Sequence, residues 1–287
     1  MRLTRLIALL ALLLAGACAV DFVLWSGRSL DAYGFDSFEG EMLDREALDV
    51  LGPLDPAAIR ELRIASGTET LGAVLVAEAD VSAADTLIVF FHGSSRHLDY
   101  YWARVRLLHA TGYPVLAVDY RGYGVSTGSS DVPSVLEDAR ATMRFVEEEL
   151  GGPTVVIYGN SLGTTAAARM AAENDVAALA LEVPINSLET AVADQFGASV
   201  PPQTLFEQNV SVREDAAASG APLLVFAADS DALFPPERHA DRVFAHHQEQ
   251  SGAPGTLIRV PGGHDDVPSD LGYDEFVRTV ADFVGGP

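Results

Sequence analysis

A serine stands at the centre of the most informative stretch of the chain, Gly159-Asn160-Ser161-Leu162-Gly163, which fits the pattern G-x-S-x-G. A serine hydroxyl is a weak nucleophile unless a base removes its proton and an acid orients that base. The supporting histidine must therefore be sought elsewhere, among seven candidates. His264 alone follows a late apolar run, in Val260-Pro261-Gly262-Gly263-His264, where two glycines make a loop able to deliver a ring. His239, His246 and His247 lie in a polar helical stretch and read as surface residues; His97 and His109 precede the serine; His92 reads as bonding its own loop. For the acid, Leu223–Ala228 leads into Asp229-Ser230-Asp231, and Asp231 begins a D-x-x-x-P loop ending at Pro235. Asp231 is the preferred acid, Asp229 reads as a turn support, and Glu182, at the end of an earlier run, is held in reserve. Negative charge developing on an attacked carbonyl needs two backbone amides. Leu162, next to the serine, supplies one, and the loop Phe91-His92-Gly93-Ser94-Ser95 the other, with Ser94 the expected donor and Ser95 an alternative.

These groups need a scaffold that carries them to one edge. Apolar runs rich in β-branched residues recur at Thr86–Phe91, Tyr113–Asp119, Thr154–Tyr158, Val176–Val183, Pro222–Ala227 and Thr256–Val260. Their length and two-faced apolarity describe buried parallel strands. Leu62–Ala65 and Leu71–Ala77 flank a polar turn and read as a hairpin. Helical patterns fall between the runs, at Ser134–Leu150, Leu162–Glu173, Pro235–His247 and Tyr273–Phe283. Strand–helix alternation implies an α/β architecture, a mostly parallel central sheet flanked by helices. Ser161 then sits on a strand–turn–helix junction, with helix amides aimed at developing charge. The rhythm breaks at about 186–209, a candidate small lid in which Leu188, Phe196, Val200, Leu205 and Phe206 would line an acyl pocket or simply pack the lid down.

Taken in order, H-G-S-S at 92–95, D-Y-R-G-Y-G at 119–124, G-N-S-L-G at 159–163, L-E-V-P at 181–184, D-x-x-x-P at 231–235 and G-G-H at 262–264 resemble the α/β-hydrolase superfamily. The similarity is greatest to its serine-aminopeptidase-like, alpha/beta-hydrolase-domain branch, over residues 60–285. The resemblance implies the α/β-hydrolase fold and a Ser161–Asp231–His264 triad used in the chain order Ser, acid, His. It also implies structural roles for Asp119, Arg121 and Glu182. Two positions depart from the pattern: Ser94 stands where relatives often have Asn, and Ala228 where the acid loop usually begins with Gly. The expected activity is that of a serine hydrolase acting on a carboxylic ester or thioester. A peptidase and a non-catalytic binding protein on the same fold are the alternatives. No cofactor or metal is required by this chemistry, and the partner it implies is a small acyl substrate.

Composition removes several other chemistries. The chain has 287 residues, 18 basic against 41 acidic, and a net charge of −23. That balance disfavours a nucleic-acid partner, which requires cations to neutralise phosphates. All basic residues are Arg; with no lysine, Schiff-base chemistry and a Walker-type phosphate lysine are absent. The single cysteine excludes an intrachain disulfide and a Cys-cluster metal site. That cysteine, Cys18, ends a leader of Arg2, Arg5, an uncharged Leu6–Val20 and the small triplet Ala15-Gly16-Ala17. The leader, residues 1–25, reads as a lipoprotein signal lipidated at Cys18, as a signal cleaved after Ala17, or as a retained anchor. Each reading exports the protein, and the first and third hold it on the extracytoplasmic side of a membrane. Residues 26–60, acidic and turn-rich, read as a loose lead-in, and 61–287 as the folded domain.

Overall fold

A computed structural model of the chain describes Trp25, residues 27–196 and residues 210–286. Eight strands form one sheet among the described residues: β1 (Ile59–Ser66), β2 (Glu69–Val76), β3 (Thr86–Phe91), β4 (Val115–Val118), β5 (Thr154–Asn160), β6 (Ala178–Glu182), β7 (Leu223–Ala228) and β8 (Gly255–Val260). Their spatial order is β1-β2-β4-β3-β5-β6-β7-β8. β1 and β2 form the expected hairpin, β2 runs antiparallel to β4, and every later pairing is parallel. The carboxyl ends of the parallel strands therefore share one edge, the position where open α/β sheets bind ligands.

The strands are buried on both faces, which is why they read as unbroken apolar runs. In β3 the alternation is direct: Leu87, Val89 and Phe91 join one core, Ile88 and Phe90 the other. Each fully buried large side chain of this kind stabilises the fold by about 1.5–3 kcal/mol.

Nine helices are given labels here: α1 (Ala47–Leu51), α2 (Trp102–His109), α3 (Val132–Glu149), α4 (Thr164–Glu173), α5 (Leu188–Phe196), α6 (Val212–Ala218), α7 (Ala240–Gln250), α8 (Val267–Leu271) and α9 (Tyr273–Gly285). α3, α4, α6 and α7 cover one face; α2 and α9 cover the other. α3 starts at a capping box, in which Asp131 accepts from the Ser134 amide and the Ser134 hydroxyl accepts from the Asp131 amide, both at 2.8 Å. Its buried stripe of Val132, Val135, Leu136, Ala139, Met143 and Val146 is the helical period of the sequence realised in packing.

Two expectations change. The lead-in is not loose: Phe35, Met42, Leu43 and Ala47 are buried in the α2/α9 core. Phe35 packs on Trp102 with ring centroids 4.5 Å apart, and the Trp102 indole donates to Asp36 at 2.6 Å. The helix expected over Pro235–His247 begins only at Ala240 and runs to Gln250; residues 236–239 form a turn instead, in which the Arg238 amide donates to Pro235 O at 2.9 Å and the His239 amide to Pro236 O at 3.2 Å. Of the expected lid, α5 is described, whereas 197–209 lie outside the described residues, as do the leader through Leu24 and Cys18.

Candidate active site

The serine is presented by a forced backbone. Ser161 directly follows β5 with φ of +53°, a left-handed conformation costing a non-glycine residue roughly 1–3 kcal/mol. Its neighbours are small because nothing else fits. A Cβ on Gly159 would stand 2.5 Å from the Ala167 Cβ. One on Gly163 would stand 2.3 Å from the Phe91 carbonyl and 2.4 Å from that of His92. The nucleophile turn is thus seated directly against the loop that follows β3. A single 3-10 turn over Ser161–Gly163 then leads into α4, whose start lies slightly later than the periodicity predicts.

His264 arrives on the loop after β8, and Asp231 on the loop after β7. The imidazole Nε2 is 2.7 Å from Ser161 Oγ, and Nδ1 is 2.7 Å from Asp231 Oδ2. A carboxylate only accepts, so Nδ1 carries the hydrogen and Nε2 is left to accept from the serine hydroxyl. The other oxygen of Asp231 accepts from the amides of Leu233 at 2.8 Å and Phe234 at 2.9 Å. With its side chain 2% exposed, Asp231 is a buried carboxylate whose two oxygens are both engaged. The two loops are tied together: the Ser230 amide donates to Gly262 O at 2.9 Å and the Ser230 hydroxyl to Pro261 O at 2.7 Å. Phe234 packs edge-on to the His264 ring at 5.3 Å and limits how far it can swing.

The loop after β3 supplies the opposite wall. A Cβ on Gly93 would meet the Tyr101 hydroxyl at 2.7 Å and the Ser161 Cβ at 3.1 Å. Two tyrosines behind it hold its carbonyls: Tyr120 donates to His92 O and Tyr123 to Ser94 O, each at 3.0 Å. Burial pushes both phenols well above their ordinary range, so they remain neutral donors. His92 bonds its own loop as expected, with Nδ1 2.6 Å from Gly93 O, and its Nε2 also lies 3.1 Å from Asp119 Oδ1. Asp119 accepts from the Tyr33 hydroxyl at 2.6 Å and the Leu98 amide at 3.0 Å, while the Arg121 amide donates to Asp138 at 2.8 Å. Both residues are architecture. The two tyrosine supports were missed in the sequence, although both belong to D-Y-R-G-Y-G.

Ser161, Asp231 and His264 therefore meet at one rim, with Gly93–Ser94 and Leu162 beside them. The other acids do not join them. Asp229 pairs outward with Arg259 at 2.5 Å. Glu182 is fully buried and belongs to Arg104 and the Tyr158 hydroxyl. Two histidines expected at the surface are buried instead. His247 donates from Nε2 to Ala221 O at 2.9 Å; the His239 Nε2 lies 2.7 Å from Asp194, and its Nδ1 accepts from the Asn186 amide at 3.0 Å. No group of three or more His, Cys, Asp or Glu side chains able to hold a metal ion occurs among the described residues.

The comparisons with known proteins bear on the fold that carries this arrangement. A family model described as serine aminopeptidase, S33, matches residues 82–202, from just before β3 past the serine and into the segment after α5. An uncharacterised protein of Mycobacterium tuberculosis is 32% identical over 162 residues, 55% of this chain and 56% of that protein. A lysophosphatidylserine lipase of Danio rerio is 30% identical over 95 residues, 32% of this chain and 25% of that protein. The match thus spans about half the length of the first relative and a quarter of the second. Among solved structures, a Pyrococcus furiosus esterase aligns with a TM-score of 0.65 at 18% identity, over 82% of this chain and 96% of its own, a likeness of fold.

Proposed function

We propose that the chain is an α/β-hydrolase, as the serine-aminopeptidase family model over residues 82–202 supports, and that it is a serine hydrolase cleaving a carboxylic ester or thioester through an acyl-enzyme. The observation that carries this reading is the unbroken hydrogen-bond chain from Asp231 through His264 to Ser161, each link 2.7 Å long.

In this mechanism His264 Nε2 takes the Ser161 proton as Oγ attacks the acyl carbonyl. Asp231 holds the ring through Nδ1 and stabilises the imidazolium that forms. It does so without taking the proton. The amides of Leu162 and Ser94 receive the oxyanion, a contribution of about 3–4 kcal/mol for one such donor. The imidazolium then protonates the departing alcohol or thiol. A water attacks the acyl-enzyme with His264 again as base, which regenerates Ser161 and releases the acid.

An ester is preferred because two of the proteins similar to this chain are a lipase and an esterase by name. The matching family model, described as serine aminopeptidase, supports a peptidase as the second reading. A fluorophosphonate probe is expected to label Ser161 of the folded protein, and Ser161→Ala to abolish labelling. Turnover of p-nitrophenyl esters at least 100-fold above aminoacyl p-nitroanilides supports the esterase; the inverse ratio makes it a peptidase. Folded protein that neither labels nor turns over either substrate defeats the hydrolytic reading.

A further inference from the structure

We propose that the sheet edge carrying Ser161 is the face that docks on a lipid bilayer, and that the acyl substrate is an ester lipid drawn from that bilayer. The substrate half of this inference rests on the hydrolase reading above; the docking half rests instead on the leader being lipidated at Cys18 or retained as an anchor.

The argument begins where the leader joins the body. Trp25, 3% exposed, packs edge-on against Tyr120 at 5.2 Å. Tyr120 in turn lies 4.7 Å from the His92 ring and donates to the His92 carbonyl in the loop beside the serine. Residues 27–30 are clipped to the loop after β4. The Leu30 amide donates to Gly124 O at 2.7 Å and the Gly124 amide to Arg28 O at 2.8 Å. A Cβ on Gly27 would stand 2.2 Å from Gly122 O, so the segment lies flush on that loop. The exit of the leader is thus fastened to the carboxyl edge of the sheet, one side chain away from the wall of the site.

The tether is too short to bring the opposite edge of the sheet to the membrane. An apolar stretch ending at Val20 leaves five residues to Trp25, and lipid on Cys18 leaves seven. Fully extended, these reach at most about 18 and 25 Å. A folded chain of this length is about 50 Å across. The amino edge of the sheet therefore cannot be brought to the membrane surface while Trp25 stays docked.

One of the two exposed large apolar side chains lies on this edge. Among the described residues only Leu233 and Val50 are large apolar side chains left exposed, at 46% and 59%. Leu233 stands on the acid loop two residues past Asp231, on the same edge as Trp25 and Ser161. The net charge of −23 repels anionic leaflets, so the fitting partner is a zwitterionic surface.

The test uses the full chain reconstituted in phosphatidylcholine vesicles that carry a phosphatidylcholine with a photoactivatable group at headgroup depth. After irradiation, lipid adducts on peptides covering 92–101, 121–130 and 229–239 are expected at no less than five times the density of those covering 110–114, 150–153, 219–222 and 251–254. Adducts concentrated on the second set, spread evenly, or confined to the leader overturn the docking inference. So do cross-links between copies through the first set. A fluorogenic acyl ester embedded in the same vesicles is expected to be hydrolysed at least tenfold faster than the same ester in separate, protein-free vesicles. Equal rates overturn the substrate half. Fluorophosphonate labelling and a water-soluble p-nitrophenyl ester, run on the same sample, report the hydrolase reading by itself. If both are negative that reading fails, while rim adducts still uphold docking.

Discussion

Two carboxylates occupy the ends of neighbouring strands and have opposite fates. Glu182 closes β6, and Asp231 stands three residues beyond β7. Burial does not separate them, since their side chains are 0% and 2% exposed. Partners do. Glu182 faces Arg104, a fully buried guanidinium that also grips Asp44 at 2.6 Å, and it accepts from the Tyr158 hydroxyl at 2.6 Å. Its charge is consumed by a permanent cation. Asp231 faces the His264 imidazole, and backbone amides alone hold its second oxygen. Its charge is available when a proton arrives on the ring. A buried acid can thus balance a fixed charge or answer a transient one, and its neighbour decides which.

The largest break in that comparison comes from exchanging the two acids for their amides. Asp231→Asn is expected to lower kcat about 10⁴-fold with the fold intact, because the amide favours the wrong imidazole tautomer. Glu182→Gln should leave kcat per folded molecule within about threefold and instead lower the midpoint of urea unfolding. Ester kinetics beside circular-dichroism melts read both, and the reverse pattern would exchange the roles assigned here.

Next in size is Arg104→Met. It leaves Asp44 and Glu182 buried without their cation, and a loss of about 3–5 kcal/mol is expected in urea unfolding. The double variant Arg104→Met/Glu182→Leu should recover part of that loss, since one stranded charge is removed. No recovery would mean that the network is not held by charge balance.

A smaller effect extends the same logic to imidazoles. Burial lowers the pKa of His247 and of His239. A proton on His247 would sit at Nδ1, which has no partner, and one on His239 would cost the bond from the Asn186 amide. The unfolded chain accepts protons that these folded sites refuse. Stability is therefore full above the ordinary imidazole value of about 6.5 and declines as pH falls below it, by up to about 1.4 kcal/mol per pH unit for each group. The melting temperature at pH 5.5 should lie below that at pH 7.5, and His247→Gln should flatten the slope. Asp44, whose carboxyl is raised by burial, acts in the opposite sense, but only as pH approaches its own range. The smallest change is expected for Asp229→Asn. Its pair with Arg259 is half exposed, so kcat should stay within twofold and stability within about 1 kcal/mol.

The strands and the site were legible in the chain for a common reason: both are local patterns. The β3 run announces itself by length and branching, and G-N-S-L-G by residues that must be small next to a strained serine. The order of Asp231 and His264 after late strands was enough to bring them to Ser161. What stayed hidden depends on distant pairing. Glu182 looks like a free acid until Arg104, 78 positions away, is seen against it. The lead-in hides a core contribution because Phe35, Met42 and Leu43 follow no helical or strand period. His247 looked polar within its helix, yet Ala221, 26 positions earlier, supplies the acceptor that lets it be buried. Of the helices, α6 carried a readable start, since Ser211 caps the Glu214 amide at 3.3 Å, but its seven residues were too few for periodicity to stand out.

The contact between Gly163 and the carbonyls of Phe91 and His92 has a further bearing on how such a protein diversifies. With no room for even a methyl group there, the two walls of the reaction centre move as one piece. Libraries that vary Gly163 or Gly93 should return misfolded protein rather than altered selectivity. New preferences must then be sought at positions other than these two glycines, where the seating of one wall on the other is left intact.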